Sequence, residues 1–160
     1  MNSNITIYFD LDGTIFDLYG VPNWLERLKA EDATPYLEAK PLVDLIKLAD
    51  LIKQLQAANI KIGVISWLAK NSSKHYKGLV RAAKREALKR IQVEFDEVHL
   101  VQYGTPKHRV ARNQEFRILI DDDENVVKDW YRGRCERKMA IKVPQADLIV
   151  ELENILKKVA

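Results

Sequence analysis

Cysteine is nearly absent from this sequence, with one residue among 160. A single cysteine excludes an intrachain disulfide framework and a zinc site built from four cysteines. Such a composition suits a reducing compartment, and we expect a cytoplasmic protein. No apolar run approaches the ~20 residues that span a bilayer, and no basic region followed by a long apolar run opens the chain. We therefore expect neither a membrane partner nor a secretory signal peptide.

The chain also lacks a strong excess of one charge, because 26 basic and 23 acidic residues give a formal net charge of +3. The distribution is nevertheless uneven. Residues 1–50 carry nine acidic and four basic side chains, a net charge of −5, whereas residues 70–90 carry eight basic and one acidic, a net charge of +7. Helical spacing predicts that the second segment presents one basic stripe. Its members are Lys70, Lys74, Lys77, Arg81, Lys84 and Arg85. A solvated helix face and a contact with nucleic acid both remain open for it.

Short apolar runs rich in β-branched residues alternate with longer helical patterns. We predict strands at 5–9, 60–65, 97–101, 117–120 and 139–143, and helices at 43–58, 72–90, 105–112 and 146–160. Strands that alternate with helices indicate an α/β fold with a mostly parallel sheet of about five strands, sandwiched by helices.

One segment, residues 15–42, does not fit this alternation. It contains three prolines and a short helical pattern, where a connection between neighbouring strands needs only one helix. We interpret it as an insertion over the carboxyl end of the first strand. Ligands bind at that end of the strands in open α/β sheets.

Two pairs of carboxylates follow predicted strands. Asp10 and Asp12 come directly after the first strand, and Asp121 and Asp122 after the fourth. Parallel strands that end in acids place them at one edge of the sheet, where their repulsion favours a hard divalent cation with oxygen ligands. Gly13 permits a tight turn beside this site. The alternative for the second pair is a helix N-terminus, where the dipole favours acids.

Two further residues stand at suitable strand ends. Ser66 ends the second predicted strand, and a hydroxyl with neighbouring backbone amides at such a position can hold a phosphate. Lys107 follows the third strand, where an ammonium could neutralise that phosphate. Taken singly, a serine of this kind is as well explained as a helix cap, and a lysine as a surface residue.

Together these segments resemble the haloacid dehalogenase superfamily of phosphotransferases. The matching stretches are FDLDGT at 9–14, VIS at 64–66, GTPK at 104–107 and ILIDD at 118–122, in the order of the family's motifs. The resemblance spans the core of the chain. It implies a Rossmann-like sheet, one domain over residues 1–160, and a small cap formed by residues 15–42.

The resemblance also implies a Mg²⁺-dependent phosphatase that hydrolyses phosphomonoesters. Asp10 would be the nucleophile that forms an aspartyl-phosphate. Asp12 would protonate the leaving oxygen and then deprotonate the attacking water. Ser66 would donate a hydrogen bond to the phosphoryl group, and Lys107 would offset its charge.

The metal ligands implied by the resemblance are Asp10, the backbone carbonyl of Asp12 and one acid of the fourth motif. Alignment with the family's acidic pair favours Asp122 as that ligand. Asp121 would then orient Lys107 or Ser66.

The stretch from residue 83 to residue 126 is loosely similar to 5′-deoxyribonucleotidases, which favours a small phosphorylated substrate such as a nucleoside monophosphate. Phe16, Tyr19 and Trp24 on the insertion, and Trp67 beside Ser66, could offer stacking surfaces for a base. The alternative for each is packing in the core, which is more common for aromatic residues near a strand end. Two alternatives remain open. One is a phosphatase acting on nucleic-acid ends, and the other is a non-catalytic protein of the same fold that binds nucleic acid through residues 70–90.

Overall fold

The computed structural model describes residues 4–160. The strands are β1 (Ile5–Phe9), β2 (Phe16–Asp17), β3 (Lys40–Pro41), β4 (Lys61–Trp67), β5 (Glu97–Val101), β6 (Phe116–Asp121) and β7 (Arg137–Lys142). The helices are α1 (Trp24–Lys29), α2 (Pro35–Glu38), α3 (Leu45–Ala57), α4 (Lys74–Lys89), α5 (Lys107–Val110), α6 (Glu124–Trp130) and α7 (Leu148–Val159), with a 3-10 turn at Leu18–Gly20. Every predicted strand and helix is present, with bounds that differ by a few residues.

Five strands form one sheet in the order β5-β4-β1-β6-β7. All four neighbouring pairs are parallel, so the predicted Rossmann-like α/β fold is confirmed. Helices α3, α4 and α7 contribute to the core on one face, while α6 packs on the other face with the loop after α5. The chain leaves β1 toward β4 on one side and later returns to β6 on the other. The strand order therefore reverses at β1, the position where open α/β sheets bind ligands.

The central strand β1 is buried along its whole length. Ile7 and Phe9 enter the larger core, whereas Tyr8 points to the opposite face, as the two-residue period of a strand requires. The Tyr8 hydroxyl is satisfied there because it donates to Glu97 (2.6 Å) and accepts from the Asn113 amide (3.1 Å). Apolar side chains on both faces explain why this segment occupies the middle of the sheet.

Side chains that cap the backbone amides fix the starts of the long helices. Asp44, Ser73 and Asp147 accept hydrogen bonds from the first turns of α3, α4 and α7. Such caps satisfy amides that have no partner within the helix. Within residues 4–160, none of the helices has the length and apolar character needed to cross a bilayer.

Residues 15–42 lie between β1 and α3. Strands β2 and β3 pair antiparallel at the base of this segment, with Phe16 opposite Pro41, and α1 and α2 lie between them. The segment is attached to the sheet domain through α4, because the Tyr76 hydroxyl donates to the Asp32 carbonyl at 2.8 Å. The chain therefore returns to α3 by a path that crosses the carboxyl end of β1.

Candidate functional site

The residues predicted from the strand ends converge at one edge of the sheet. Asp10 follows β1, and its amide continues the β1–β6 pairing by donating to the Ile120 carbonyl at 3.0 Å. Asp121 is the last residue of β6, Ser66 is the penultimate residue of β4, and Lys107 begins α5 after β5. Because β4, β1 and β6 are neighbours, the four side chains reach one site from four separate segments of the chain.

Three carboxylates form a compact cluster at this edge. One oxygen each from Asp10, Asp121 and Asp122 lies within 4.8 Å of the other two. Burial and the neighbouring carboxylates raise the pKa of Asp121 to about 6 and that of Asp122 to about 8. The site therefore holds more negative charge than its own lysines neutralise. A divalent cation with oxygen ligands fits such a donor set.

The turn after β1 brings its backbone against this cluster. Gly13 adopts a φ of 78°, and a side chain there would collide with the Asp122 carboxylate and the Tyr19 ring. The hydroxyl of Thr14 donates to Asp10 Oδ2 at 3.2 Å. Glycine is needed both for its left-handed conformation and for the close approach, as the sequence predicts.

Lys107 is buried between two of the carboxylates. Its Nζ lies 2.8 Å from Asp10 Oδ1 and 2.7 Å from Asp121 Oδ2. Burial alone lowers the pKa of a lysine, but attraction to Asp10 and Asp121 outweighs it and the pKa of Lys107 is raised. Asp121 uses its other oxygen to accept from the Asp123 amide at 3.0 Å. Both oxygens of Asp121 are thus engaged, and the acid orients Lys107.

A second lysine of the site, Lys84 on α4, was missed in the basic stripe predicted from the sequence. It is only 1% exposed, so its assignment to a solvated or nucleic-acid-binding stripe is wrong. Its Nζ donates to Asp12 Oδ2 (2.7 Å), Ser66 Oγ (2.7 Å) and the Trp67 carbonyl (2.6 Å). The Tyr36 ring of α2 covers the ammonium, with its centroid 4.9 Å from Nζ.

The contacts of Lys84 set the roles of its two side-chain partners. An ammonium group can only donate, so Ser66 Oγ accepts and its own proton remains free for another acceptor. Ser66 is fully buried, and the cavity described below is lined by its neighbour Trp67 and not by Ser66 itself. Burial raises the pKa of Asp12 although Lys84 opposes the rise, and Asp10 adds to it. One oxygen of Asp12 is occupied by Lys84.

The helical periodicity of the sequence indicates that Lys84 is buried. The buried face of α4 carries Tyr76, Val80, Ala83 and Ala87, and position 84 falls within that face, four residues after Val80. A lysine among apolar positions is rarely fully buried without a partner. Its position on the helix therefore distinguishes it from the exposed lysines.

A cavity of about 510 Å³ opens above the carboxylates. Two aromatic pairs line it. Tyr19 and Trp24 meet edge to face at 5.0 Å on the insertion side, and Trp67 and Tyr103 lie 4.9 Å apart on the sheet side. These pairs present ring surfaces to the cavity, whose floor includes Asp10.

Two aromatic residues near the site differ in role. Trp67 lines the cavity, and its ring is fixed because Nε1 donates to the Thr105 carbonyl at 2.8 Å. Phe16, expected among the stacking aromatics, instead lies in the main core at 2% exposure with the Arg90 guanidinium over its ring. The stacking role is therefore wrong for Phe16 and the alternative of a core residue is right, because the pairing of β2 with β3 turns Phe16 inward.

Comparison with known proteins gives no relative from which a role could be transferred. No protein-family model matches the chain, and no curated protein matches it. The site is therefore interpreted from its own groups: three clustered carboxylates, Asp12, two buried lysines and one buried hydroxyl.

Proposed function

We propose that the protein is a Mg²⁺-dependent phosphomonoester hydrolase that acts through an aspartyl-phosphate on Asp10. The observation that carries the proposal is the setting of Asp10, which lies between Lys107 and two acids suited to a cation at the floor of a cavity. Phosphoryl transfer needs a positioned nucleophile and neutralisation of the charge on the phosphoryl oxygens. The resemblance of four motifs to the haloacid dehalogenase superfamily supports the same chemistry.

Each polar group of the site has a role in this reaction. Asp10 attacks phosphorus, while Lys107 holds its carboxylate and offsets charge on the phosphoryl group. Asp12 donates a proton to the leaving oxygen and later takes one from the attacking water. Ser66 directs its free hydroxyl proton toward a phosphoryl oxygen, since Lys84 occupies its acceptor side.

The cation would be held by Asp10, Asp122 and the backbone carbonyl of Asp12. Asp121 stays bound to Lys107 and the Asp123 amide. When bound, Mg²⁺ would supply positive charge to the phosphoryl oxygens. Burial, and after it repulsion from Asp10, raises the pKa of both Asp121 and Asp122, and a cation among these carboxylates would offset that repulsion.

The substrate we propose is a small phosphorylated metabolite, with nucleoside monophosphates as the first class. The aromatic pairs Tyr19–Trp24 and Trp67–Tyr103 support it, because each stacked base contributes ~1–3 kcal/mol. Residues 15–42 would act as a small cap over the phosphate. A cytoplasmic location is part of the proposal and rests on the single cysteine.

The test is hydrolysis of p-nitrophenyl phosphate with Mg²⁺, followed by deoxynucleoside monophosphates and sugar phosphates. We expect activity in the wild type and a loss of several orders of magnitude in Asp10→Asn, since an amide cannot form the acyl-phosphate. Circular dichroism checks that the variant is folded. Wild-type turnover by folded Asp10→Asn would overturn the mechanism, and a strong preference for sugar phosphates would overturn the nucleotide assignment.

A further inference from the structure

The exposed face of α4 carries a row of cations that the folded protein does not use. Lys74, Lys77, Arg81 and Arg85 recur at steps of three and four residues along one flank of the buried face, and Lys77 is partly buried whereas the other three are exposed. None of the four forms an ion pair or a side-chain hydrogen bond with any residue in the range 4–160. We call these four residues the α4 basic row.

The α4 basic row begins beside the cavity. The loop that precedes α4 lines the cavity with Lys70, Asn71 and Ser72, and Tyr76 of the first turn lines it as well. Because β4 and β5 are parallel, α4 must run from this edge of the sheet back to the opposite one. Eleven residues separate the ends of the row, so it extends about 16 Å from the cavity edge at 1.5 Å per residue.

Gly78 lies in the middle of this row, and the fold does not explain it. Glycine weakens a helix interior relative to alanine. Among residues 4–160, no atom other than those of the adjacent residues and the helix's own backbone lies within 4 Å of the position that a Cβ would take at Gly78. Packing within the described chain therefore does not require glycine there. A bare helix surface between cations allows the backbone of a polyanion to approach closely.

We propose that the α4 basic row binds the phosphate backbone of a single-stranded nucleic acid whose terminal phosphate enters the cavity, so that the terminal nucleotide takes the place there of a free nucleoside monophosphate. The regular cations match a ligand with regularly spaced negative charges. The Trp67–Tyr103 pair, with Lys70 5.8 Å from the Tyr103 ring centre, offers a stacking surface for an unpaired terminal base. The placement of the terminal phosphate rests on the proposed function.

An anionic membrane is the less suitable partner for this row. A helix that lies in a membrane interface presents an apolar face to the lipid. The apolar face of α4 is instead packed in the protein, where Tyr76, Val80 and Ala83 are buried. The exposed side of α4 carries cations, Gly78 and Ala82, and Leu79 is its one large apolar residue. This mostly charged surface suits a hydrated phosphate backbone.

Counterion release gives the expected size of the effect. With four phosphate contacts to a single strand, the slope of log affinity against log salt is about −2.8. The affinity should then fall about 50-fold when the salt rises from about 50 to about 200 mM. When the four cations of the row are replaced by neutral residues, the slope of log affinity against log salt should become much shallower.

The experiment measures fluorescence anisotropy of an oligonucleotide of about twelve nucleotides, with and without a 5′-phosphate, on folded Asp10→Asn protein so that no turnover occurs. The test variant adds Lys74→Gln, Lys77→Gln, Arg81→Gln and Arg85→Gln. A matched control adds Lys53→Gln, Lys61→Gln, Lys157→Gln and Lys158→Gln, which removes the same charge from exposed positions elsewhere. We expect the test variant to lose tenfold or more in affinity and the control to change less than threefold.

Equal losses in the two variants, or an affinity that does not respond to salt, would overturn the proposal. Binding to phosphatidylserine vesicles but not to the oligonucleotide would overturn it too. Equal affinity for the two oligonucleotides would overturn the placement of the terminal phosphate. Wild-type hydrolysis of p-nitrophenyl phosphate separates the two proposals. Activity without oligonucleotide binding refutes only the proposal that the α4 basic row binds nucleic acid. Binding without activity refutes only the proposed phosphatase function.

Discussion

The Nζ of Lys84 lies 2.7 Å from the Oγ of Ser66, and this bond reaches from α4 into the end of β4. The same ammonium binds Asp12, which follows β1, so a single side chain connects a covering helix to two strand ends. With all three of its protons donated, Lys84 has no capacity left for a ligand. Its effect on a bound phosphate would therefore act through Ser66 and Asp12.

The first prediction concerns the Lys84–Asp12 pair. Lys84→Met should lower the free energy of unfolding by about 3 kcal/mol, because it leaves a largely buried carboxylate without its partner. This value is at the low end of the usual destabilisation for removing one partner of a buried ion pair, because the Asp12 side chain is 20% exposed. Adding Asp12→Asn to Lys84→Met should restore part of the loss by removing the unpaired charge. Urea unfolding of the single and double variants measures this coupling.

Lys89→Met provides the control for that cycle. Lys89 lies on the same helix but is exposed, and within residues 4–160 its one ion pair is with Glu86, so its loss should change the stability by less than about 1 kcal/mol. Strictly additive effects of Lys84→Met and Asp12→Asn would show that the two side chains do not stabilise each other.

The second prediction separates the adjacent acids Asp121 and Asp122. Calorimetric titration of metal-free protein with Mg²⁺ should show binding in the wild type and at least about tenfold weaker binding in Asp122→Asn. Asp121→Asn should retain most of the affinity, because both oxygens of Asp121 are engaged by Lys107 and the Asp123 amide. Activity lost to EDTA should return with added Mg²⁺. The reverse order of the two variants would show that Asp121 is the ligand.

Much of the fold and part of the site follow from local sequence patterns. Buried strands are recognisable as continuous apolar runs. An acid directly after such a run, such as Asp10 or Asp121, identifies the edge of the sheet at which ligands bind. Ser66 is identified by the same logic, although β4 continues one residue further to Trp67. These residues were predictable because their positions depend on where a strand ends.

The residues that were misplaced depend on contacts between distant parts of the chain. The helical position of Lys84 indicates the buried face, but the acceptors that stabilise its ammonium there are distant in sequence, with Asp12 72 positions away. Phe16 resembles the cavity aromatics in sequence, yet the pairing of β2 with β3 and the contact with Arg90 place it in the core. Charge and aromaticity alone do not specify which face a residue takes.

The third prediction is a pH dependence of the metal-free protein. The folded-state pKa of Asp122, about 8, lies above the ordinary value near 4, so the folded protein keeps a proton that the unfolded chain has lost. The contribution of Asp122 to the free energy of unfolding is at its maximum below pH ~4 and is lost as the pH rises toward ~8. Thermal unfolding in EDTA should therefore show a smaller decrease in Tm between pH ~5 and ~8 for Asp122→Asn than for the wild type. Parallel Tm curves for the two proteins would contradict the raised pKa.

The last prediction uses two glycines with opposite surroundings. Gly78→Ala should raise the free energy of unfolding by about 0.5–1 kcal/mol, because alanine is the better helix former and its methyl group meets no atom of the described chain beyond the adjacent helix residues within 4 Å. Gly63→Ala in β4 should instead lower the free energy of unfolding by about 1–3 kcal/mol, since its Cβ would lie 2.7 Å from Cδ1 of the buried Tyr8 ring. Chemical denaturation of both variants measures the two changes. Destabilisation by Gly78→Ala would mean that the glycine contributes to the fold itself, and it would remove the argument that Gly78 is kept for a ligand.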